Sequence, residues 1–318
     1  AALKNGQGWI IIIPSCSSRP RRRLDRTNKG VWGKMETGTR PMEETVEDVV
    51  LRHSNRGMNI LREYMEEDYC KKAVERLLSL EKGNVLLTTG FYVAGHAETD
   101  GPVGTMAVAK ALDKLGFQPT IVTDQYCRGF FEIENLNVEY MELHAGSRDY
   151  EELLEKYQPV CLISIERCGH NVENDYANMR GISIKKETAR VDRLFELAMD
   201  REIPTFGIGD GGNEIGMGNL KEIIAGKLSL VPCEVEVDDL IIATVSNWGA
   251  YAMTAYMQMM EHVPVLPSYE EVKAYLKEIV KMGSVDGVTK EQVLSVDGFS
   301  LEVEKEILND LHKVVATS

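Results

Sequence analysis

No stretch of this 318-residue chain stays apolar for the ~20 residues that a membrane-spanning helix needs. The longest candidate, Ile10–Ile13 beside Trp9, is far too short, so no membrane partner is expected. Positive charge is also scarce. The 36 Lys+Arg face 50 Asp+Glu, leaving a net charge of −14, whereas a general nucleic-acid binder neutralises phosphates with clustered Lys and Arg. The six cysteines (Cys16, Cys70, Cys127, Cys161, Cys168, Cys233) include no C-x-x-C pair. Neither a disulfide framework nor a zinc module is therefore expected, and reduced thiols in a cytoplasmic compartment fit better. Cys168 reads as a small buried hydrophobe. The histidines contain no H-x-x-x-H, which leaves a zinc peptidase without support. Solenoid-period repeats and low-complexity tracts are lacking too, while 43% hydrophobic and 27% charged residues are ordinary for a globular chain with a sizeable core.

The charge is unevenly spread. Residues 1–40 carry nine basic side chains (Lys4, Arg19, Arg21, Arg22, Arg23, Arg26, Lys29, Lys34, Arg40) against Asp25 and Glu36, so this segment is +7 and the remainder −21. A Ser- and Arg-rich leader poor in acids has the composition of a transit peptide, which would place the protein in the mitochondrial matrix. It suits better a disordered or non-native tail ahead of a start at Met35 or Met42, and after that an arm at a subunit contact. The leader, 1–42, is set apart, and 43–318 is expected to form a single α/β domain.

Helical apolar spacing runs through 43–82. Short apolar runs at 85–90, 120–123, 160–165, 204–208 and 240–245 then read as buried strands, and helical patterns at 103–115, 150–157, 188–201, 250–261, 269–282 and 300–315 separate or follow them. This alternation predicts an α/β fold: a mostly parallel sheet with helices on both faces, a three-layer sandwich. Strand order cannot be read from it. Met253, Met257, Met259 and Met260 make 250–260 compatible with a homo-oligomer, and core packing explains them equally well.

Polar residues fall at the strand ends: Glu98-Thr-Asp-Gly-Pro102 after the first, Asp124 after the second, Glu166-Arg167 after the third, Gly209-Asp-Gly-Gly-Asn-Glu214 after the fourth and Ser246-Asn247 after the fifth. Ligands of open α/β sheets bind at that edge. Carboxylates from Glu98, Asp100, Glu166, Asp210 and Glu214 would converge there, and close carboxylates need protons or a cation. Oxygen ligands favour Mg²⁺ or Mn²⁺. Helix capping is the competing explanation, strongest for Asp124. Gly207-x-Gly209-x-x-Gly212 matches a dinucleotide fingerprint in form. It lies on the wrong strand, with acids where a pyrophosphate would sit, and glycines admitting a small ligand explain it better. Arg167 is either a structural partner or a bidentate clamp for a substrate carboxylate. His96 reads as an exposed loop residue. The stretch 174–186, with Asn178, Arg180 and Lys185, reads either as a lid over an anion or as a surface loop.

Glu98-Thr-Asp-Gly-Pro102, Ile165-Glu-Arg167, Gly209-Asp-Gly-Gly-Asn-Glu-Ile-Gly-Met-Gly218 and Val245-Ser-Asn-Trp-Gly249 closely resemble the D-glutamate cyclase family. The resemblance runs from about Glu43 to the C-terminus and includes the paired Ser284-Val-Asp-Gly287 and Ser295-Val-Asp-Gly298. It implies a lyase that converts D-glutamate to 5-oxo-D-proline and water, with Mn²⁺ or Mg²⁺. Asp100, Glu166 and Asp210 are then expected on the metal, and Glu214 and Glu98 in acid–base roles. Arg167 or Arg180 would clamp the carboxylate, and Thr99, Gly211, Gly212, Asn213 and Asn247 would contact substrate. A metal-dependent phosphohydrolase and a non-catalytic metabolite-binding module are the alternatives.

Overall fold

The computed structural model describes residues 44–318, so the basic leader 1–42, with Cys16 and the Ile10–Ile13 run, lies outside the described residues. The helical stretch before the sheet is broken into α1 (Val46–Val50), α2 (Met58–Leu61) and α3 (Tyr69–Ser79). Then come β1 (Asn84–Thr88), the short β2 (Tyr92–Val93) and β3 (His96–Ala97), α4 (Pro102–Lys114), β4 (Gln118–Thr123) and β5 (Asn137–Tyr140). The middle of the chain forms α5 (Ser147–Tyr157), β6 (Cys161–Ile165), α6 (Asp192–Asp200), β7 (Thr205–Gly209), α7 (Lys221–Lys227) and β8 (Asp239–Ile242). It closes with α8 (Ser246–Glu261), α9 (Tyr269–Lys281), the β9 (Ser295–Val296) and β10 (Phe299–Ser300) hairpin and α10 (Leu301–Thr317).

The main sheet has six strands in the order β5-β4-β1-β6-β7-β8, every neighbouring pair parallel. Numbered along the sheet's own strands this is 3-2-1-4-5-6, the doubly wound order. Right-handed crossovers that run in opposite directions from the centre, β1–α4–β4 and β6–α6–β7, put their helices on opposite faces. The expected three-layer α/β sandwich is therefore what forms. β5 was not foreseen: Asn-Val-Glu-Tyr is a half-exposed edge strand without an apolar run.

α8 packs against α3, α4 and α10. Met253 and Met257 are fully buried on it, and Met259 and Met260 pack against the same core, so the methionines that suggested an oligomer serve the interior. Glu304 of α10 is buried as well, with its two oxygens accepting from Trp248 Nε1 and Tyr251 OH at 2.7 Å each. Among the described residues, no helix is long and apolar enough to cross a membrane.

Candidate active site

The winding of the sheet reverses between β1 and β6, and loops leaving these two strands in opposite directions open a crevice at their carboxyl ends. The segment after β1 makes the β2–β3 hairpin and returns with Glu98 and Asp100, while Glu166 directly follows β6. Asp210 follows β7. Carboxylate oxygens of Asp100, Glu166 and Asp210 all lie within 4.8 Å of one another, and all three side chains are buried.

Each acid is held by specific groups. Asp100 accepts from the backbone N–H of Gly101, Ser246 and Asn247 at 2.9, 2.9 and 2.7 Å, which places it on the N-terminus of α8. Glu166 has left-handed backbone geometry, φ 48°, and its Oε2 accepts from Ser246 Oγ at 2.6 Å. Asp210 Oδ1 accepts from Arg56 Nη1 at 2.9 Å, and its buried Oδ2 has no partner among the described residues. Asp297, on the β9–β10 turn, accepts from Arg56 Nη2 at 2.5 Å. Glu98 approaches the backbone of Gly287 so closely that a Cβ there would collide with its Oε2.

Burial lifts the pKa of every one of these acids. Asp100 is pushed up to about 7 by burial and by the charge of Asp297. Asp210 rises to about 8, burial and the charges of Asp100 and Glu214 prevailing over Arg56. Glu98, Glu166 and Asp297 are raised well above the carboxylate range by burial and then by neighbouring acids, Asp297 acting on Glu98 and Asp210 on Glu166 and Asp297. Five buried carboxyls around a single arginine require shared protons or a cation. Oxygen-only donors with one orphaned carboxylate oxygen fit a hard divalent ion such as Mg²⁺ or Mn²⁺.

In front of the cluster lies a cavity of about 510 Å³, a size suited to a small metabolite. Glu98, Glu166, Asp297, Arg56 and Asn213 form its polar lining, and Phe91, Tyr92, Val93 and Ile184 contribute apolar wall. Arg180 and Lys290, both exposed, bring cationic side chains to it from two different loops.

The sequence model of the family described as D-glutamate cyclase-like, C-terminal, matches residues 46–312. The chain belongs to that family. It is 30% identical to the mitochondrial D-glutamate cyclase of Homo sapiens, over 58% of this chain and 34% of that protein, so it spans about a third of the length of this curated relative. Among solved structures it is similar to UDP-GlcNAc 2-epimerase of Methanocaldococcus jannaschii (TM-score 0.33, 12% identity, 63% of this chain and 51% of that one). It is also similar to the tRNA N6-threonylcarbamoyladenosine dehydratase of E. coli (TM-score 0.29, 13% identity, 65% and 94%). Likenesses this distant carry no argument.

Against the expectations for a member of this family, the structure sorts the candidate residues into two sets. Asp100, Glu166, Asp210 and Glu98 come together, and Asn213 and Arg180 line the cavity. Asn213 donates from Nδ2 to Ala177 O at 2.8 Å and leaves its buried Oδ1 without a partner among the described residues. The others are not part of that cavity's lining. Arg167, wholly buried, donates to Asp124 Oδ2 at 2.7 Å and to the carbonyls of Gly90 and Ala189 at 2.5 and 2.7 Å, as a structural partner would. Asp124 also caps the Tyr126 N–H, as the capping reading held. Asn247 caps the neighbouring helix, its Oδ1 accepting from Gly101 and Gly104 N–H and its Nδ2 donating to Thr99 O. Thr99 donates to Ser295 O, which ties two loops together. Glu214 turns back onto its own loop, where Gly212 N–H donates to it at 2.7 Å; a Cβ at Gly209 or Gly211 would crowd its oxygens at 2.9 and 2.6 Å. The glycines of this loop leave room for Glu214, with Met179 above Gly211 and Leu230 above Gly212. Glu214 also takes the amide that a dinucleotide phosphate would need. Cys168 is buried and His96 exposed, as expected.

Arg56, Lys290 and Asp297 escaped the sequence reading. Arg56 and Lys290 sit in polar loops without a motif. Asp297 belongs to the second Ser-Val-Asp-Gly segment, whose repetition was the available signal. Its twin Asp286 builds the surrounding loop, accepting from Val288 and Thr289 N–H, Gly298 N–H and Ser295 Oγ.

Proposed function

We propose that this chain closes an acidic amino acid into its lactam, taking D-glutamate to 5-oxo-D-proline and water. Family membership supports the reaction type. The observation that carries the substrate class is one cavity lined both by buried carboxyls and by the cationic Arg56, Arg180 and Lys290. A zwitterionic dicarboxylate has the opposite charges to offer both.

In ring closure the amine attacks the γ-carboxyl carbon. A C–N bond forms, a C–O bond breaks, and two protons pass from nitrogen to the departing oxygen, so no oxidant or reductant is needed. In this reading Arg180 and Lys290 hold the α-carboxylate and aim the amine inward, which lowers the entropic cost of closure. Glu98, raised by burial and by the charges of Asp297 and Asp100, would take protons from the ammonium and return them to the leaving oxygen. Asp100, Glu166 and Asp210 would hold Mn²⁺ or Mg²⁺ (Mn²⁺ and Mg²⁺ suit the same donors), whose chemistry here is Lewis-acid polarisation of the γ-carboxyl. Phe91, Tyr92 and Ile184 keep the reacting atoms from bulk water.

Proton NMR of the protein with D-glutamate, L-glutamate and D-aspartate tests this. Conversion of D-glutamate, with KM raised ~10-fold or more in Arg180→Ala for loss of one carboxylate contact, is the expected result. Turnover of none of the three, in protein that binds the divalent ion, contradicts it.

A further inference from the structure

Arg56 reaches the acid cluster from a side that no strand end occupies. It lies between α1 and α2, directly before Gly57, whose φ of 92° ends the segment in a left-handed turn. Its guanidinium bridges Asp210 and Asp297, and the charge of Glu166 also acts on it. Two of its five N–H donors are thereby engaged. The side chain also borders the cavity, so the remaining donors are within reach of a ligand. The other oxygen of the same carboxylate, Asp210 Oδ2, is buried without a partner among the described residues, and Asp210 has a carboxylate oxygen within 4.8 Å of oxygens of Asp100 and Glu166.

We propose that Arg56 is a tethered cation that stands in for the divalent ion of this cluster. The guanidinium and the ion compete for Asp210, and an anionic ligand that pairs with Arg56 draws it away and favours the ion. The inference rests on the metal reading above and adds regulation to it: Arg56 offsets part of the cluster's negative charge, and the ion is accepted together with a carboxylate ligand. The physical reason is short-range repulsion. A guanidinium on Asp210 Oδ1 and a doubly charged ion on the adjoining oxygens are too close to be independent in a dry site. Asp297, held in place by the Asp286-centred loop, is the second anchor to which Arg56 stays attached. By linkage, whatever factor the ligand adds to ion affinity, the ion adds to ligand affinity.

Calorimetric titration of Mn²⁺ into metal-stripped protein tests the competition, using wild type, Arg56→Gln, Arg56→Met and Arg56→Lys. Each is measured with and without glutarate, a dicarboxylate with no amine to cyclise. The neutral variants should bind Mn²⁺ at least ~10-fold more tightly than wild type, with Arg56→Lys staying near wild type because the charge is kept. Glutarate should tighten Mn²⁺ binding in wild type and lose that effect in the neutral variants. Equal or weaker Mn²⁺ binding in folded neutral variants, with wild-type binding intact, overturns the role of Arg56 and leaves the metal reading standing. No Mn²⁺ or Mg²⁺ binding by any of the four overturns both. Should the neutral variants fail to fold, wild type still decides, since Mn²⁺ affinity indifferent to glutarate overturns the proposed release.

Discussion

Arg167 and Arg180 are both within a few residues of site acids or site loops, yet their hydrogen bonds give them different work. Arg167 is enclosed by Asp124, Gly90 O and Ala189 O. Removing one partner of a buried ion pair leaves the other charge stranded, so Arg167→Ala should lose ~3–5 kcal/mol of stability in urea denaturation. The exposed Arg180 has no such partners among the described residues, and Arg180→Ala should keep wild-type stability while raising KM. Equal urea midpoints for the Arg167 variant and wild type would contradict this division. The acids were legible because each follows an apolar strand, where side chains of distant sequence meet. Which neighbours an arginine meets is not written in local sequence: Asp124 and Ala189 lie 43 and 22 residues from Arg167.

Helices α4 and α8 cap each other. Asp100, just ahead of α4, accepts from the first N–H groups of α8, and Asn247, in the first turn of α8, accepts from Gly101 and Gly104 at the start of α4. This reciprocal cap explains why α8 begins at Ser246 and not at 250, where its apolar pattern becomes evident. Asn247→Ala leaves those N–H groups without their acceptor and should cost ~1–3 kcal/mol, measured by urea denaturation. A second element-scale device is the 284–298 loop, where Gly287 leaves room for Glu98. A folded Gly287→Ala protein, verified by circular dichroism, should lose most turnover because Glu98 is displaced. Unchanged turnover would remove Glu98 from the reaction.

For the whole molecule, the alternation of apolar strands and amphipathic helices was enough to foresee a parallel sheet covered on both faces. The order 3-2-1-4-5-6 was not legible, because it depends on which way each crossover turns, nor was β5, whose edge position suits Asn137 and Glu139. That order is what gathers an acid-rich crevice between β1 and β6, and it gives the fold an unusual pH response. Asp100 and Asp210 keep their protons in the folded state up to about 7 and about 8, whereas the unfolded chain releases them near 3.8. Folding therefore takes up protons in that window, and stability falls as pH rises through it. The Tm of metal-stripped protein, followed by scanning fluorimetry, should decline between pH 5 and 8, and added Mn²⁺ should recover most at the alkaline end, where protons no longer compete for the carboxylates. A Tm that climbs steadily to pH 8 without metal would contradict the raised acids.

The central claim is that the Asp100–Glu166–Asp210 cluster performs ring closure on D-glutamate. Chiral chromatography of metal-stripped wild type and Asp210→Asn with D-glutamate, before and after adding Mn²⁺, tests it most directly. The account requires 5-oxo-D-proline from wild type only after Mn²⁺ is restored, and a loss of ~10³-fold or more in the variant, the scale of removing a principal catalytic group. Product from Asp210→Asn at the wild-type rate, or from stripped wild type without any ion, would contradict it.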